Sequence, residues 1–234
     1  MKEIIFTILF LGMIASMSWF LFGKDNFSKN DSVARVSDVN ISDTVIKADK
    51  NTVMEKAQAN DITSTDEKKF QFPLSRATER VSKKPFGIFI TPKNSPIQPE
   101  KFSGYHTGVD FEIFPEEIDA DVQVTAICAG KLSLKKMATG YGGVVVQSCN
   151  LAKKPISVVY GHLKLNSIKA ALGDDIAVGE PLGVLGEAYG VENGQERKHL
   201  HLGVHKGLEI NILGYVSSET DLSGWLDPLS VIFE

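Results

Sequence analysis

The sequence predicts a mainly β domain, an antiparallel sheet with barrel-sandwich-like glycine turns, preceded by an N-terminal membrane helix and a disordered stalk. Three observations predict it. Short apolar runs alternate with polar residues at a period of two, glycines punctuate those runs at close spacing, and nothing in the folded region sustains a period of 3.6. With 234 residues, 43% of them hydrophobic, the chain has room for one good core and for segments outside it. Its net charge of −4 carries no basic excess, so a nucleic-acid partner is not expected.

Residues 1–23 form the first segment. Residues 4–22 carry no charge and approach the length of a bilayer span, about 20 residues. Ser16-Met17-Ser18 offers a small-x-small cleavage site, but the apolar run continues through Trp19-Phe20-Leu21-Phe22, so a retained single-pass anchor is expected rather than a cleaved signal. The bulk of the chain is then expected across the membrane, or secreted if cleavage occurs. Residues 24–69 are rich in Ser, Asp, Asn, Lys and Thr and cannot bury enough surface to offset their ordering entropy, which predicts a flexible stalk with at most a short helix at 53–59.

The folded domain is expected over 70–234. Residues 84–90 read as a strand and 92–99 as a loop with three prolines. Residues 122–128 alternate as a half-buried strand, and 131–134, 143–147 and 156–160 continue the rhythm. Residues 172–186 set four glycines among short apolar segments. Cys128 and Cys149 stand at comparable distances on either side of the turn Gly140-Tyr141-Gly142-Gly143. They suit one bridge across a hairpin in an oxidising compartment, or two small buried hydrophobes.

The chemistry gathers at Lys198-His199-Leu200-His201. In a strand His199 and His201 share a face, about 6.8 Å apart. Of the five histidines, two more stand in defined settings, His106 in Tyr105-His106-Thr107-Gly108-Val109-Asp110 and His162 in Tyr160-Gly161-His162-Leu163. Histidine and carboxylate can hold zinc while leaving a position open for water. In a straight strand His106 and Asp110 would be about 13 Å apart, too far to share one ion, so a shared ion requires the chain to bend, most cheaply at Gly108. By spacing alone, either His199 or His201, or both, could be ligands.

His106-x-x-x-Asp110, Tyr160-Gly161-His162-Leu163 and His199-Leu200-His201, in that order, resemble the three signatures of the LytM-type (M23, lysostaphin-like) zinc metallopeptidases. The resemblance takes in Phe86-Gly87, Val124-x-Ala126-x-x-x-Gly130, Gly140-Tyr141-Gly142 and the glycines from Gly173 to Gly186. It implies that His106, Asp110 and His201 ligate Zn2+, while His162 and His199 stand close by as catalytic residues. It further implies an endopeptidase acting on peptidoglycan peptides, expected to be a monomer. Arg197-Lys198 replaces the Gly-Pro or Ser-Pro pair usual before His-x-His, and the loop 189–197 is longer and more polar. Leu202 also stands where an aromatic is common, and all three changes are expected at the groove rim. His205 and Tyr160 are expected to be structural.

Two other classes compete. A non-catalytic domain of the same fold would bind wall peptide or activate another hydrolase, though relatives of that kind generally lose ligands. A lipoyl- or biotinyl-like carrier would share the glycine-rich β segments, with Lys135-Lys136-Met137 resembling an attachment site, but it leaves the histidines unexplained.

Overall fold

The computed structural model describes residues 69–233. The expected membrane segment, the short helix considered at 53–59 and all of the expected stalk but Lys69 lie outside the described residues. Among the described residues no helix is long and apolar enough to cross a membrane.

Twelve strands dominate the described residues, in chain order β1 (Phe89–Ile90), β2 (Gly104–His106), β3 (Gly108–Glu112), β4 (Gln123–Thr125), β5 (Gly130–Ala138), β6 (Gly142–Leu151), β7 (Lys154–Gly161), β8 (Asp175–Ile176), β9 (Pro181–Val184), β10 (His199–Lys206), β11 (Tyr215–Val216) and β12 (Trp225–Leu226). Among the described residues two short α-helices, α1 (Glu219–Leu222) and α2 (Pro228–Phe233), and four single-turn 3-10 helices accompany them. The main sheet runs β12-β10-β7-β6-β5-β8, with β3 also paired to β10. A three-stranded sheet, β1-β2-β11, and the pair β4-β9 complete the domain. Every pairing between these strands is antiparallel.

The central strands explain which face holds the site. Val109 and Phe111 of β3, Val158 and Tyr160 of β7, and Leu200, Leu202 and Val204 of β10 all enter the larger hydrophobic core. Because side chains alternate, the residues between them must face the other side. Asp110, Gly161, His199 and His201 are among those residues. Beneath them a smaller apolar cluster of Tyr141, Val144, Val146, Val159 and Trp225 supports the sheet. Tyr160 is therefore a core residue: its hydroxyl accepts from Ile127 N–H (2.9 Å) and donates to Gln147 Oε1 (3.0 Å).

Two expected strands are shorter than the pattern implied. Of residues 84–90 only Phe89–Ile90 is a strand, since Pro85 has no N–H and Gly87 takes a φ of +76°. The segment still runs beside the site strands, where Asp110 N–H donates to Lys84 O (3.0 Å) and His106 N–H to Ile88 O (2.9 Å). Of 122–128 only Gln123–Thr125 pairs as a strand, and Ala126 N–H turns to Glu180 O. Residues 131–134 and 143–147 extend into the long hairpin β5-β6, and Cys128 and Cys149 are joined by a disulfide with Cα atoms 6.3 Å apart.

Candidate metal centre

Register brings the site together. In β10, His201 lies opposite Asp110 of β3 on one side and Gly161 of β7 on the other. His106 arrives from a different sheet: β2 ends on it, Thr107 breaks the ladder, and β3 begins at Gly108. The bend required by the spacing argument is thus a switch between sheets. Thr107 N–H donates to Gly214 O (3.1 Å) and its hydroxyl to Leu213 O, which pins the crossing. Gly108 is required for closeness, because a Cβ there would lie 2.8 Å from His201 Nε2 and also collide with the Leu202 carbonyl.

Three donor atoms converge. His106 Nε2 lies 3.0 Å from His201 Nδ1, and each is 3.2 Å from Asp110 Oδ1. Four ligands tetrahedrally disposed at about 2.0 Å are separated by about 3.3 Å, so these three atoms have the spacing of three corners of a zinc site. Among the described residues, His106, Asp110 and His201 form a buried group able to hold a metal ion. The His106 tautomer fits as well: with Nδ1–H donating to Pro85 O (3.2 Å), its Nε2 lone pair is left facing the gap. Burial opposes charge on Asp110, but His199 and His106 and the imidazole hydrogen bonds outweigh it, holding the carboxyl well below the usual range. Burial lowers the pKa of His201, leaving a neutral ring suited to ligation.

The other two histidines stand beside this group. His162 follows β7 with φ +66°, a left-handed conformation uncommon outside glycine, and this carries its ring over the site face. Its Nδ1–H donates to Asn193 O (2.9 Å), and His199 Nδ1–H donates to Arg197 O (2.7 Å). The two rings lie 4.1 Å apart. Each has its Nε2 free of a backbone bond, though His199 Nε2 is 3.4 Å from Asp110 Oδ2. Burial depresses the His162 pKa to about 4 and that of His199 well below its ordinary value, so both are neutral near pH 7. A cleft of about 450 Å³ opens here, its polar side formed by Asp110, His162, Arg197, His199 and His201. Phe102, Tyr141, Ile212, Leu213 and Tyr215 add apolar lining, with Tyr141 packed against His162 and His201 and Tyr215 against His106. Phe102 stacks on Tyr215 with ring centres 5.5 Å apart.

Sequence reasoning misplaced the pair before the histidines, and Leu202, also expected at the rim, is buried in the larger core because it alternates with the site residues along β10. Arg197 is not at the rim: its guanidinium bonds Asp110 Oδ2 (2.8 Å) and grips Glu112. Lys198 is buried and donates to the carbonyls of Glu117, Ile118 and Ala120. Asn193 and Glu112 were missed altogether. Asn193 is fully buried, with Nδ2–H donating to Arg197 O (3.1 Å) and Oδ1 accepting from Glu196 N–H (3.1 Å). A polar loop gave no signal of this. Glu112, by contrast, shares a strand face with Asp110 two residues earlier, which alternation makes readable. His205 sits at the far end of β10 against Trp225, ring centres 4.9 Å apart, and takes no part in the site.

No curated protein matches the chain. Among solved structures it is similar to CbpA from L. salivarius REN at 20% identity, covering 71% of this chain and 96% of that one with a TM-score of 0.47. The antimicrobial peptidase lysostaphin from Staphylococcus simulans is 20% identical, with coverage of 70% and 54% and a TM-score of 0.44. Helicobacter pylori Csd3 is 23% identical, with coverage of 64% of this chain and a TM-score of 0.40. This chain spans only 35% of the Csd3 chain. Residues 104–212, which contain all five histidines, match the model of peptidase family M23.

Proposed function

We propose that the chain is a zinc-dependent endopeptidase hydrolysing peptide bonds in peptidoglycan. The observation that carries the reading is the convergence of His106 Nε2, Asp110 Oδ1 and His201 Nδ1 at 3.0 to 3.2 Å, flanked by two imidazoles already fixed through Nδ1. Zinc in such a set supplies a Lewis acid that polarises a carbonyl and acidifies water. His162 and His199, neutral and bonded through Nδ1, have Nε2 available to take a proton from the attacking water and deliver one to the leaving amine. The ring that has taken the water's proton then carries Nε2–H, which can donate to the negatively charged carbonyl oxygen. Phe102, Tyr141 and Tyr215 line the cleft with apolar surface, and a low-dielectric lining strengthens these interactions.

The choice of peptidoglycan is supported by the family model that residues 104–212 match. The uncharged run at 4–22 and the polar stretch 24–69 support an anchored, extracytoplasmic domain on a stalk. Zinc analysis of the purified chain, with mass analysis of digested muropeptides and pentaglycine, tests the reading. About one zinc per chain and defined peptide fragments are expected. A zinc-loaded chain inert towards every wall preparation would establish the non-catalytic binding domain instead. Absence of zinc binding would remove both the metal and the reaction. Membrane retention after alkaline extraction of cells tests the anchor, and a freely soluble chain would refute it.

A further inference from the structure

We infer that Arg197, braced by Glu112, is a positioning residue that commits Asp110 to presenting a single oxygen to the cation. The inference rests on the metal-centre reading above and concerns Arg197, the first of the two residues with which the chain departs from the pattern it resembles.

The two oxygens of Asp110 have different surroundings. Oδ1 faces His106 Nε2 and His201 Nδ1, each at 3.2 Å. Oδ2 accepts from Arg197 Nη2 at 2.8 Å and lies 3.4 Å from His199 Nε2. A carboxylate free at both oxygens can rotate, or bind a cation through both. Occupying Oδ2 with a charged donor removes that freedom and leaves Oδ1 for the ion.

The guanidinium is itself held. Nε donates to Glu112 Oε1 and Oε2 at 3.1 and 2.9 Å, and Nη2 donates to Oε1 at 2.6 Å. Glu112 is buried on β3, two residues after Asp110 and opposite His199 in the ladder with β10. Arg197 thus bridges two carboxylates that one strand presents on one face. Arginine suits this place because its planar fork reaches both groups and stays charged, whereas lysine offers a point charge without that geometry.

Main chain and side chain of Arg197 act separately. Its carbonyl accepts from His199 Nδ1–H at 2.7 Å and from Asn193 Nδ2–H at 3.1 Å. A side-chain substitution therefore leaves the His199 contact available and perturbs Asp110.

The test compares the full chain with Arg197→Gln, Arg197→Lys and Glu112→Gln. Zinc affinity is measured by chelator competition, the cobalt-substituted site by visible absorption, and kcat and KM on the muropeptides that the wild type cleaves. Arg197→Gln is expected to weaken zinc binding about 10- to 100-fold, the usual range for loss of a group that orients a ligand. It should also shift the cobalt bands and, at saturating zinc, lower kcat with KM unchanged. Arg197→Lys should recover part of the affinity, and Glu112→Gln should move every quantity the same way by less. If Arg197→Gln fails to fold, as judged by circular dichroism, the other two variants still decide the matter.

Wild-type zinc affinity and cobalt bands in Arg197→Gln would overturn the inference, and a raised KM alone would make Arg197 a substrate contact. If Arg197→Gln does not fold, wild-type zinc affinity and cobalt bands in both Arg197→Lys and Glu112→Gln would overturn it equally. Should the wild type bind no zinc, the metal-centre reading fails together with this one. Should it bind and cleave while the folded variants match it, only this inference fails.

Discussion

His162 combines a left-handed backbone, φ +66°, with a buried imidazole, and both costs fall on a residue that the core does not need. Strain and desolvation of this kind persist where the surrounding structure imposes them, here through Asn193 O and the hydrogen bond from Gly186 N–H to His162 O. The consequence is a proton acceptor held neutral beside the cleft. His162→Ala or His199→Ala should retain zinc while turnover falls by about 10²- to 10⁴-fold, whereas His106→Ala or Asp110→Ala should lose zinc. Metal content and kcat measured on the same preparations separate the two classes. Full activity in His199→Ala would remove its assigned role.

The same burial makes stability depend on pH. The His162 pKa is about 4 when folded and near 6.5 in an unfolded chain. Between those values the unfolded chain binds a proton that the folded chain does not, so stability rises with pH across the window and is lost as pH falls through it. The contribution reaches about 3 kcal/mol. Melting of the metal-free protein should therefore drop between pH 7 and pH 4. His162→Asn, a residue that tolerates the left-handed backbone, should flatten that slope. An unchanged slope would place the titration elsewhere.

At the scale of elements, β10 carries the arrangement. Its even-numbered residues Leu200, Leu202 and Val204 bind it to the core, and this burial fixes the register that sets His201 against Asp110 and Gly161. A slip of one residue would turn both histidines into the core. The alternation that specifies this is written in the sequence, and a bend between His106 and Asp110 followed from strand rise once the two were taken to share an ion. Its form did not, because the switch from β2 to β3 depends on partners far along the chain, Leu213 and Gly214. Gly108→Ala places a methyl group against the Leu202 carbonyl and the His201 ring. A loss of about 1–3 kcal/mol is expected, together with weaker zinc binding, because relief of the clash displaces a ligand. Calorimetry and chelator competition would check this, and a variant indistinguishable from wild type would show that the approach is not tight.

At the scale of the molecule, the hairpin β5-β6 is locked by the bridge between Cys128 and Cys149, which lies on the core side among Phe70, Ile127 and Ile176. Its sequence separation of 21 makes the loop large enough that reduction should cost about 3 kcal/mol, mainly by loosening the unfolded chain. Thiol titration of the denatured, unreduced protein should find no free cysteine. Reduction should lower the melting temperature and leave zinc affinity unchanged, since neither cysteine touches the cleft. Zinc loss on reduction would show that the hairpin and the site are coupled.

The sequence by itself determined the β class, through alternation and glycine spacing, and it offered a pool of histidines and a carboxylate suited to a metal, in three short motifs whose resemblance to the LytM-type pattern named the ligands. Those are local properties, set by the period of a strand and by residue type. Only the tertiary structure decided that His106, Asp110 and His201 share one gap while His162 and His199 turn aside to backbone carbonyls. It also decided that Arg197 reaches inward to Asp110 instead of lining a rim. Such choices depend on which strands lie side by side and in what register. That is a matter of long-range packing, and neighbours along the chain do not encode it separately.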